Sequence, residues 1–233
     1  MKKCIISHLT FSFNGQTKPF FCDVHVTFEQ GKLYFVQGKN GVGKSTLFSI
    51  LQGTTSHNSV LTGTITYNNH DYCITNNHMP HEISAVIKTV VQDSFVMIAP
   101  SMTVEENLKL AQLSTYPLPI PLSHSQHIPE LIKEFNINPT TTARYLSGGQ
   151  KQILAIIMAL QKPTQILLLD EPTAALDAKN STLVMNFLKT LAQELQLIVL
   201  IITHDQDVVQ QYGTNKNITI TEDENDVRRV KQE

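Results

Sequence analysis

The segment GKNGVGKST, Gly38–Thr46, restricts the possible folds more than any other stretch of the chain. It fits the pattern G-x-x-x-x-G-K-[ST]. The apolar run KLYFVQG, Lys32–Gly38, reads as a strand that ends in the first glycine, and the residues after the loop as a helix from Lys44 to about Gln52, stopped by Gly53. Gly38, Gly41 and Gly43, with Lys39, Asn40 and Val42 between them, form a loop whose backbone wraps without Cβ clashes. Its N–H groups then point inward as an anion nest. The helix adds the positive end of its dipole. In such a nest Lys44 places a point charge on the β- and γ-phosphates of a nucleotide, Ser45 offers its hydroxyl to Mg²⁺, and Thr46 ends the nucleotide-binding motif. A strand, this loop and a helix in that order imply an α/β fold that binds a nucleoside triphosphate.

Two later motifs carry complementary chemistry. ILLLDE, Ile166–Glu171, is a continuous apolar run of the kind a strand covered on both faces requires. Asp170 at its end suits a magnesium ion, and Glu171 is placed to accept a proton from an attacking water. Either acid alone could be an ordinary strand end; downstream of the phosphate nest the pair is specific. LSGGQ, Leu146–Gln150, opens a helix that carries Ile153, Ile156, Ile157 and Leu160 and ends before Pro163. Ser147, Gly148, Gly149 and Gln150 thus form a second helix N-terminus suited to an anion, although a plain N-cap reads the same way.

The rest of the chain supplies a frame. In DVHVTF, Val24, Val26 and Phe28 alternate with His25 and Thr27, as in a half-buried strand. TGTITYNN, AVIKTVVQ (Ala85–Gln92) and LIVLIIT (Leu197–Thr203) read as further strands. Thr103 and Glu106 form a capping box ahead of a helix. A proline-broken loop, PLPIPLSHSQHIPE, leads to a short helix around Ile128–Phe135. Leu183, Phe187, Leu188 and Leu191 stripe one helix, and Gly213 closes another. The expected division is a catalytic core with a β subdomain over 1–92 and 161–220, an inserted helical lobe over 93–160, and a polar tail over 221–233.

Composition excludes other classes. Net charge is −2 with no basic face, which argues against a nucleic-acid binder. No stretch reaches the roughly 18 apolar residues of a membrane span, and MKKCII is too short for a signal peptide, so a cytosolic chain is expected. The 3 cysteines lack metal spacing and read as reduced thiols. The pairs His78/His81 and His124/His127 lack the three or four convergent ligands that zinc takes. NST at Asn180 and NIT at Asn217 match a glycosylation pattern that a cytosolic chain would not use.

Taken together these motifs resemble the nucleotide-binding subunits of ABC transporters, from Phe11 to about Gly213. Smaller family motifs fall in order. Gln92 opens a segment similar to the family's Q-loop, ALD at Ala175–Asp177 matches the D-loop, and His204 in THD matches the switch histidine. Phe13 stands where the family commonly has an adenine-stacking tyrosine; the alternative is a core aromatic. After LSGGQ, Ile153 and Met158 occupy places where many relatives carry arginine. These features, with IAPSMTVEENL, look like a bacterial importer group assigned tryptophan, tyrosine or related solutes.

The resemblance implies a phosphate-loop ATPase core of ABC type with an antiparallel β subdomain and an inserted helical subdomain. It implies ATP and Mg²⁺, the latter held by Ser45, Gln92 and Asp170. Glu171, His204, Lys44 and Gln92 would take part in hydrolysis, and Ser147–Gln150 and Asp177 would close on the nucleotide of a second subunit in a homodimer or ATPase heterodimer. It further implies membrane permease subunits, an extracytoplasmic solute-binding protein, and a place on the inner face of the membrane. The apolar residues Phe95–Ile98 could dock a permease or pack internally. Two rivals remain: a soluble ABC ATPase acting on ribosomes or DNA, and a small-molecule kinase, which has no use for LSGGQ.

Overall fold

Hydrophobic alternation and continuous apolar runs resolve into ten strands in a computed structural model, which describes residues 3–55, 58–74, 78–91, 93–113, 132–133, 135–214 and 216–232. The strands are β1 (Lys3–Ser12), β2 (Phe21–Glu29), β3 (Lys32–Gln37), β4 (Val60–Tyr67), β5 (His70–Cys73), β6 (Ile87–Val90), β7 (Ile166–Asp170), β8 (Ile198–Ile202), β9 (Ile218–Glu222) and β10 (Arg228–Gln232). The helices are α1 (Lys44–Gln52), α2 (His81–Ser84), α3 (Val104–Gln112), α4 (Gly148–Ala159), α5 (Ala178–Leu195) and α6 (Gln206–Tyr212). The strands form one sheet in the order β5-β4-β1-β2-β10-β9-β3-β8-β7-β6.

The sheet has two characters. β3, β8, β7 and β6 are parallel, whereas β2, β1, β4 and β5 are antiparallel. In the parallel half β7 and β8 are apolar on both faces because each face is covered. On one side lie α4 and α5, with Ile153–Ile157, Phe187, Leu188 and Leu191 buried. On the other, α1 joins β1, β2 and β4 through Leu47, Phe48, Ile50 and Leu51. α4 is buried nearly all round, and this gives a physical reason for Ile153 and Met158: both sit in the core.

Register places the chemistry. Val36 of β3 pairs with Ile202 of β8, and Ile202 pairs with Asp170 of β7. The glycine loop, Asp170–Glu171 and Thr203–His204 therefore leave neighbouring parallel strands at the same carboxyl end, where open α/β sheets bind ligands.

Within the helical lobe the capping box is present: Thr103 Oγ1 accepts from Glu106 N, and Glu106 Oε2 accepts from Thr103 N. Buried Asn107 ties the preceding loop to α3 by accepting from Ala99 N and donating to Ala99 O and Thr103 O. Residues 114–131, with the proline-broken loop, His124/His127 and most of the expected helix around Ile128–Phe135, lie outside the described residues. So does Gln92.

Two expectations need correction. The strand expected over Ala85–Gln92 is limited to Ile87–Val90, because α2 and its cap at Ala85 take the residues before it. The expected polar tail is a paired strand. Asp223 accepts from Asn225 N and Val227 N to close the turn, Val227 is buried, Val230 packs on the core, and β10 pairs along all of β9. Its arginines form ion pairs, the half-buried Arg228 with Glu222 at 3.0 Å and the exposed Arg229 with Asp223 at 3.1 Å.

Candidate active site

The glycine loop begins where β3 ends, and two of its glycines are obligatory for reasons the sequence alone does not give. Gly38 has φ +146, and a Cβ there would lie 2.5 Å from the Ile220 carbonyl oxygen. Gly43 has φ +111, and a Cβ would lie 2.6 Å from the Phe20 ring. Lys44 folds back over the loop and donates to the carbonyls of Gly38 and Lys39 at 2.8 and 3.1 Å. Burial lowers its pKa, against the opposing pull of Glu171 and Asp170. This cation is held by neutral carbonyls and is free to turn to an anion.

Ser45 donates to Asp170 Oδ2 at 3.4 Å. Burial raises the Asp170 carboxyl's pKa, opposed by the Ser45 hydrogen bond and Lys44. A hydroxyl and a carboxylate this close are the hard oxygen donors that magnesium takes, so the site fits that ion.

Glu171 is the most strained residue of the site. Its φ is +48, a left-handed conformation that costs a non-glycine residue roughly 1–2 kcal/mol. A hydrogen bond from its own N–H to Ile202 O at 2.9 Å holds it there. Its Oε1 is buried without a hydrogen-bond partner, and His204 Nε2 stands 3.5 Å away. At that separation the contact is electrostatic. Burial raises the Glu171 pKa and His204 draws it back. A carboxylate with one buried, unpartnered oxygen in a strained backbone marks a functional position.

These residues share one cavity of about 640 Å³, lined by Asn40, Gly41, Gly43, Lys44, Ser45, Thr46, Asp170, Glu171 and His204 among others. Glu171 also borders a second, smaller cavity with Asp93, Phe95, Gln152 and Leu176. It stands in the wall between the glycine loop and the helical lobe.

Phe13 lies just past β1 and is 37% exposed. It is the outer member of a stack that starts in the core: its ring meets Phe11 edge-on at 4.9 Å and Phe20 at 5.0 Å, and the Arg228 guanidinium lies 4.3 Å over Phe20. Sequence reasoning missed Phe20 and Arg228. The signal was the aromatic pair Phe20–Phe21 itself, whose rings meet edge-on at 5.0 Å and both approach Gly43.

LSGGQ opens α4 with a capping box, Ser147 Oγ accepting from Gln150 N and Gln150 Oε1 from Ser147 N. Its glycines pack against the next motif. A Cβ on Gly149 would lie 2.7 Å from Asn180 Oδ1, and one on Gly148 would lie 3.0 Å from Leu176. Asp177 caps α5 by accepting from Asn180 N. The two motifs thus form one surface through Asn180. Neither Ser147–Gln150 nor Asp177 is among the described residues lining the cavity at the glycine loop.

The apolar segment Phe95–Ile98, open between docking and internal packing, divides. Phe95 and Val96 are exposed, Val96 at 72%, whereas Met97 packs against the core and Ile98 is buried. Among the described residues no helix is long and apolar enough to cross a membrane.

Comparison with known proteins agrees with this geometry. The family model for ABC transporters matches residues 21–174. The chain is 33% identical over 218 residues to a tyrosine transport ATP-binding protein of Clostridioides difficile, covering 89% of this chain and 84% of that one. It is 31% identical over 208 residues to a methionine import ATP-binding protein of Enterococcus faecalis, covering 87% of this chain and 56% of the relative. Among solved structures it is similar to cbiO1 of Clostridium perfringens, described as part of the ABC transporter complex cbiONQ. The TM-score is 0.73 at 25% identity, over 93% of this chain and 83% of that one.

Proposed function

Because the chain belongs to the ABC transporter family of ATP-binding domains, we propose that it hydrolyses ATP as one half of a dimeric engine that drives a membrane importer. The observation that carries this reading is the meeting of Lys44, Ser45, Asp170, Glu171 and His204 at the ends of three adjacent strands, around one cavity.

Lys44 turns from the loop carbonyls to the β- and γ-phosphates, while the loop N–H groups hold the phosphate chain. Ser45 and Asp170 would hold Mg²⁺, which would supply positive charge to offset that of the phosphates. Glu171 accepts the proton of the water that attacks in line, and its raised pKa makes it a stronger base than an exposed glutamate. His204 sits across from it and orients the water or senses the γ-phosphate. Phe13 stacks on the adenine. Gln92 is proposed to link the nucleotide to the helical lobe.

Ser147–Gln150 and Asp177 belong, on this reading, to the nucleotide of the opposite subunit, whether that subunit is a second copy or a related ATPase. Phe95 and Val96 offer an apolar contact for a permease helix at the edge of the smaller cavity that Glu171 borders. The two relatives' names, tyrosine transport and methionine import, favour import of an amino acid or a similar solute with the help of a solute-binding protein, at the inner face of a bacterial membrane.

Glu171→Gln tests the chemistry. It keeps the shape and removes the base, so ATP binding should persist while turnover falls about 10²–10⁴-fold. Near-normal turnover would remove Glu171 from its role.

A further inference from the structure

Away from the nucleotide cavity, three side chains converge on the β subdomain in a way the strand pattern does not require. His8 Nδ1 and His25 Nε2 both lie 2.9 Å from the same atom, Asp23 Oδ1. The imidazole rings meet edge to face with centroids 4.4 Å apart. Among the described residues this is the only group of three or more His, Cys, Asp or Glu whose ligand atoms lie within 4.8 Å of one another. Asp23 and His25 are two residues apart on β2, whereas His8 comes from β1, 15 residues before Asp23, and completes the group only because β1 and β2 pair.

The backbone is irregular where the ligands sit. Ile6 pairs with Val26 and Leu9 with Val24, so Ser7 and His8 together oppose His25. Leu9 pairs with Val24 and Phe11 with Phe21, so Cys22 and Asp23 together oppose Thr10. Two bulges, one on each strand, therefore stand next to each other, and each holds a residue in the left-handed region: His8 at φ +54 and Asp23 at φ +53. Histidine and aspartate pay for that conformation where glycine would not. Asp23 N is fixed by a bond to Thr10 Oγ1 at 3.2 Å. The neighbouring strand makes room: Gly63 of β4 stands beside the bulge, and a Cβ there would lie 2.9 Å from Leu9 Cα. Bulges re-aim side chains, and this pair aims His8 and Asp23 at His25.

We propose that His8, Asp23 and His25 form a binding site for a divalent transition-metal ion of zinc type, with water filling the remaining positions. Two imidazoles and one carboxylate are a ligand set that zinc accepts. Bonds of about 2.1 Å in a tetrahedral site separate ligand atoms by roughly 3.4 Å. The 2.9 Å separations from Asp23 Oδ1 need open by only about half an ångström for an ion to enter. Hydrogen bonds from both imidazoles lower the Asp23 pKa, so the carboxylate is already the anion a metal requires. The ion would tie β1 to β2 across the bulges. This site is separate from the nucleotide cavity and stands whether or not the proposed ATPase role does.

Titration calorimetry of the untagged, nucleotide-free full chain with zinc chloride tests it. Other surface groups could also take zinc, so the reading is the difference between wild type and variants. Asp23→Asn keeps a residue that tolerates the left-handed conformation, and His25→Gln replaces an exposed side chain whose backbone is outside the left-handed region. Each variant should lose one equivalent of zinc or bind it at least tenfold more weakly, with an unchanged far-ultraviolet spectrum. Zinc should also raise the melting temperature of wild type and not of either variant. Equal stoichiometry, affinity and melting shift in wild type and both folded variants would overturn the proposal. A His8→Gln variant that matched wild type while the other two lost zinc would overturn the three-ligand set.

Discussion

At the scale of single residues, the site concentrates cost where it concentrates chemistry. Glu171 combines a left-handed backbone, a buried oxygen without a hydrogen bond, and a pKa raised by burial. The sign of the linkage follows. A carboxyl whose folded pKa is raised favours the folded state when protonated, and that contribution is lost as pH rises through the folded pKa. At neutral pH the charged Glu171 therefore weakens the fold, and Glu171→Gln should melt above wild type while losing turnover. For the same reason the acid limb of wild-type turnover should lie above the ordinary glutamate value of 4.5. Full activity down to that value would contradict it. Phe13 gives a second test. Stacking on a base is worth about 1–3 kcal/mol by alanine substitution, so Phe13→Ala should weaken ATP binding roughly 5- to 150-fold at a nearly unchanged melting temperature. Equal ATP affinity, or global unfolding, would assign Phe13 to the core.

Much of this was legible in the residues, and the parts that were not share a cause. Lys44, Ser45, Asp170 and Glu171 announce themselves because their motifs are contiguous and their flanking strands are strongly apolar. Phe20, Arg228 and the His8–Asp23–His25 group do not. Their partners are set by strand pairing: Arg228 reaches Phe20 because β10 lies beside β2. A bulge that turns His8 toward Asp23 leaves no periodic trace. LSGGQ reads both as an N-cap and as an anion site; Ser147 caps α4, Leu176 and Asn180 give the glycines a further reason, and the anion role is left to the dimer test below.

At the scale of elements, the joint between the two halves of the sheet depends on one carboxylate. Glu29 ends β2 and meets Lys32 at 2.6 Å, Lys216 at 3.1 Å and Lys3 at 3.8 Å. Hydrogen bonds from Lys32 and Lys216 bring its pKa down to about 2. A lowered acid pKa contributes stability that is present above the unfolded value of 4.5 and lost as pH falls through the folded value of about 2. Wild type should therefore lose stability across that window, and Glu29→Gln should be less stable at neutral pH and change less on acidification. Parallel acid profiles for the two proteins would remove Glu29 from this role. Strand and helix existence was readable here from period and caps, α1 and its Gly53 stop most clearly. β10 was not, because only Val230 among its half-buried positions, Arg228, Val230 and Gln232, is apolar, and the exposed positions between them are charged.

At the scale of the whole molecule, the account rests on surfaces that a single chain leaves open. Val96 is exposed on a turn whose next residues pack inward. Val96→Glu should keep the melting temperature and basal ATPase activity of the isolated subunit and lose co-purification with a membrane permease. Unchanged co-purification would remove this turn from the permease contact, and recovery of the wild-type chain with ribosomes or DNA would favour the soluble alternative. The LSGGQ surface is the more decisive, since Ser147 lines no part of its own chain's phosphate cavity among the described residues. If it completes the site of a partner, ATP must favour the dimer as strongly as the dimer favours ATP. Light scattering of Glu171→Gln measures this directly. With ATP and Mg²⁺ the mass should shift from monomer to dimer, with ADP it should not, and adding Ser147→Arg should abolish the shift. A monomer that binds ATP with no change in mass, or an oligomer indifferent to nucleotide, would contradict the account.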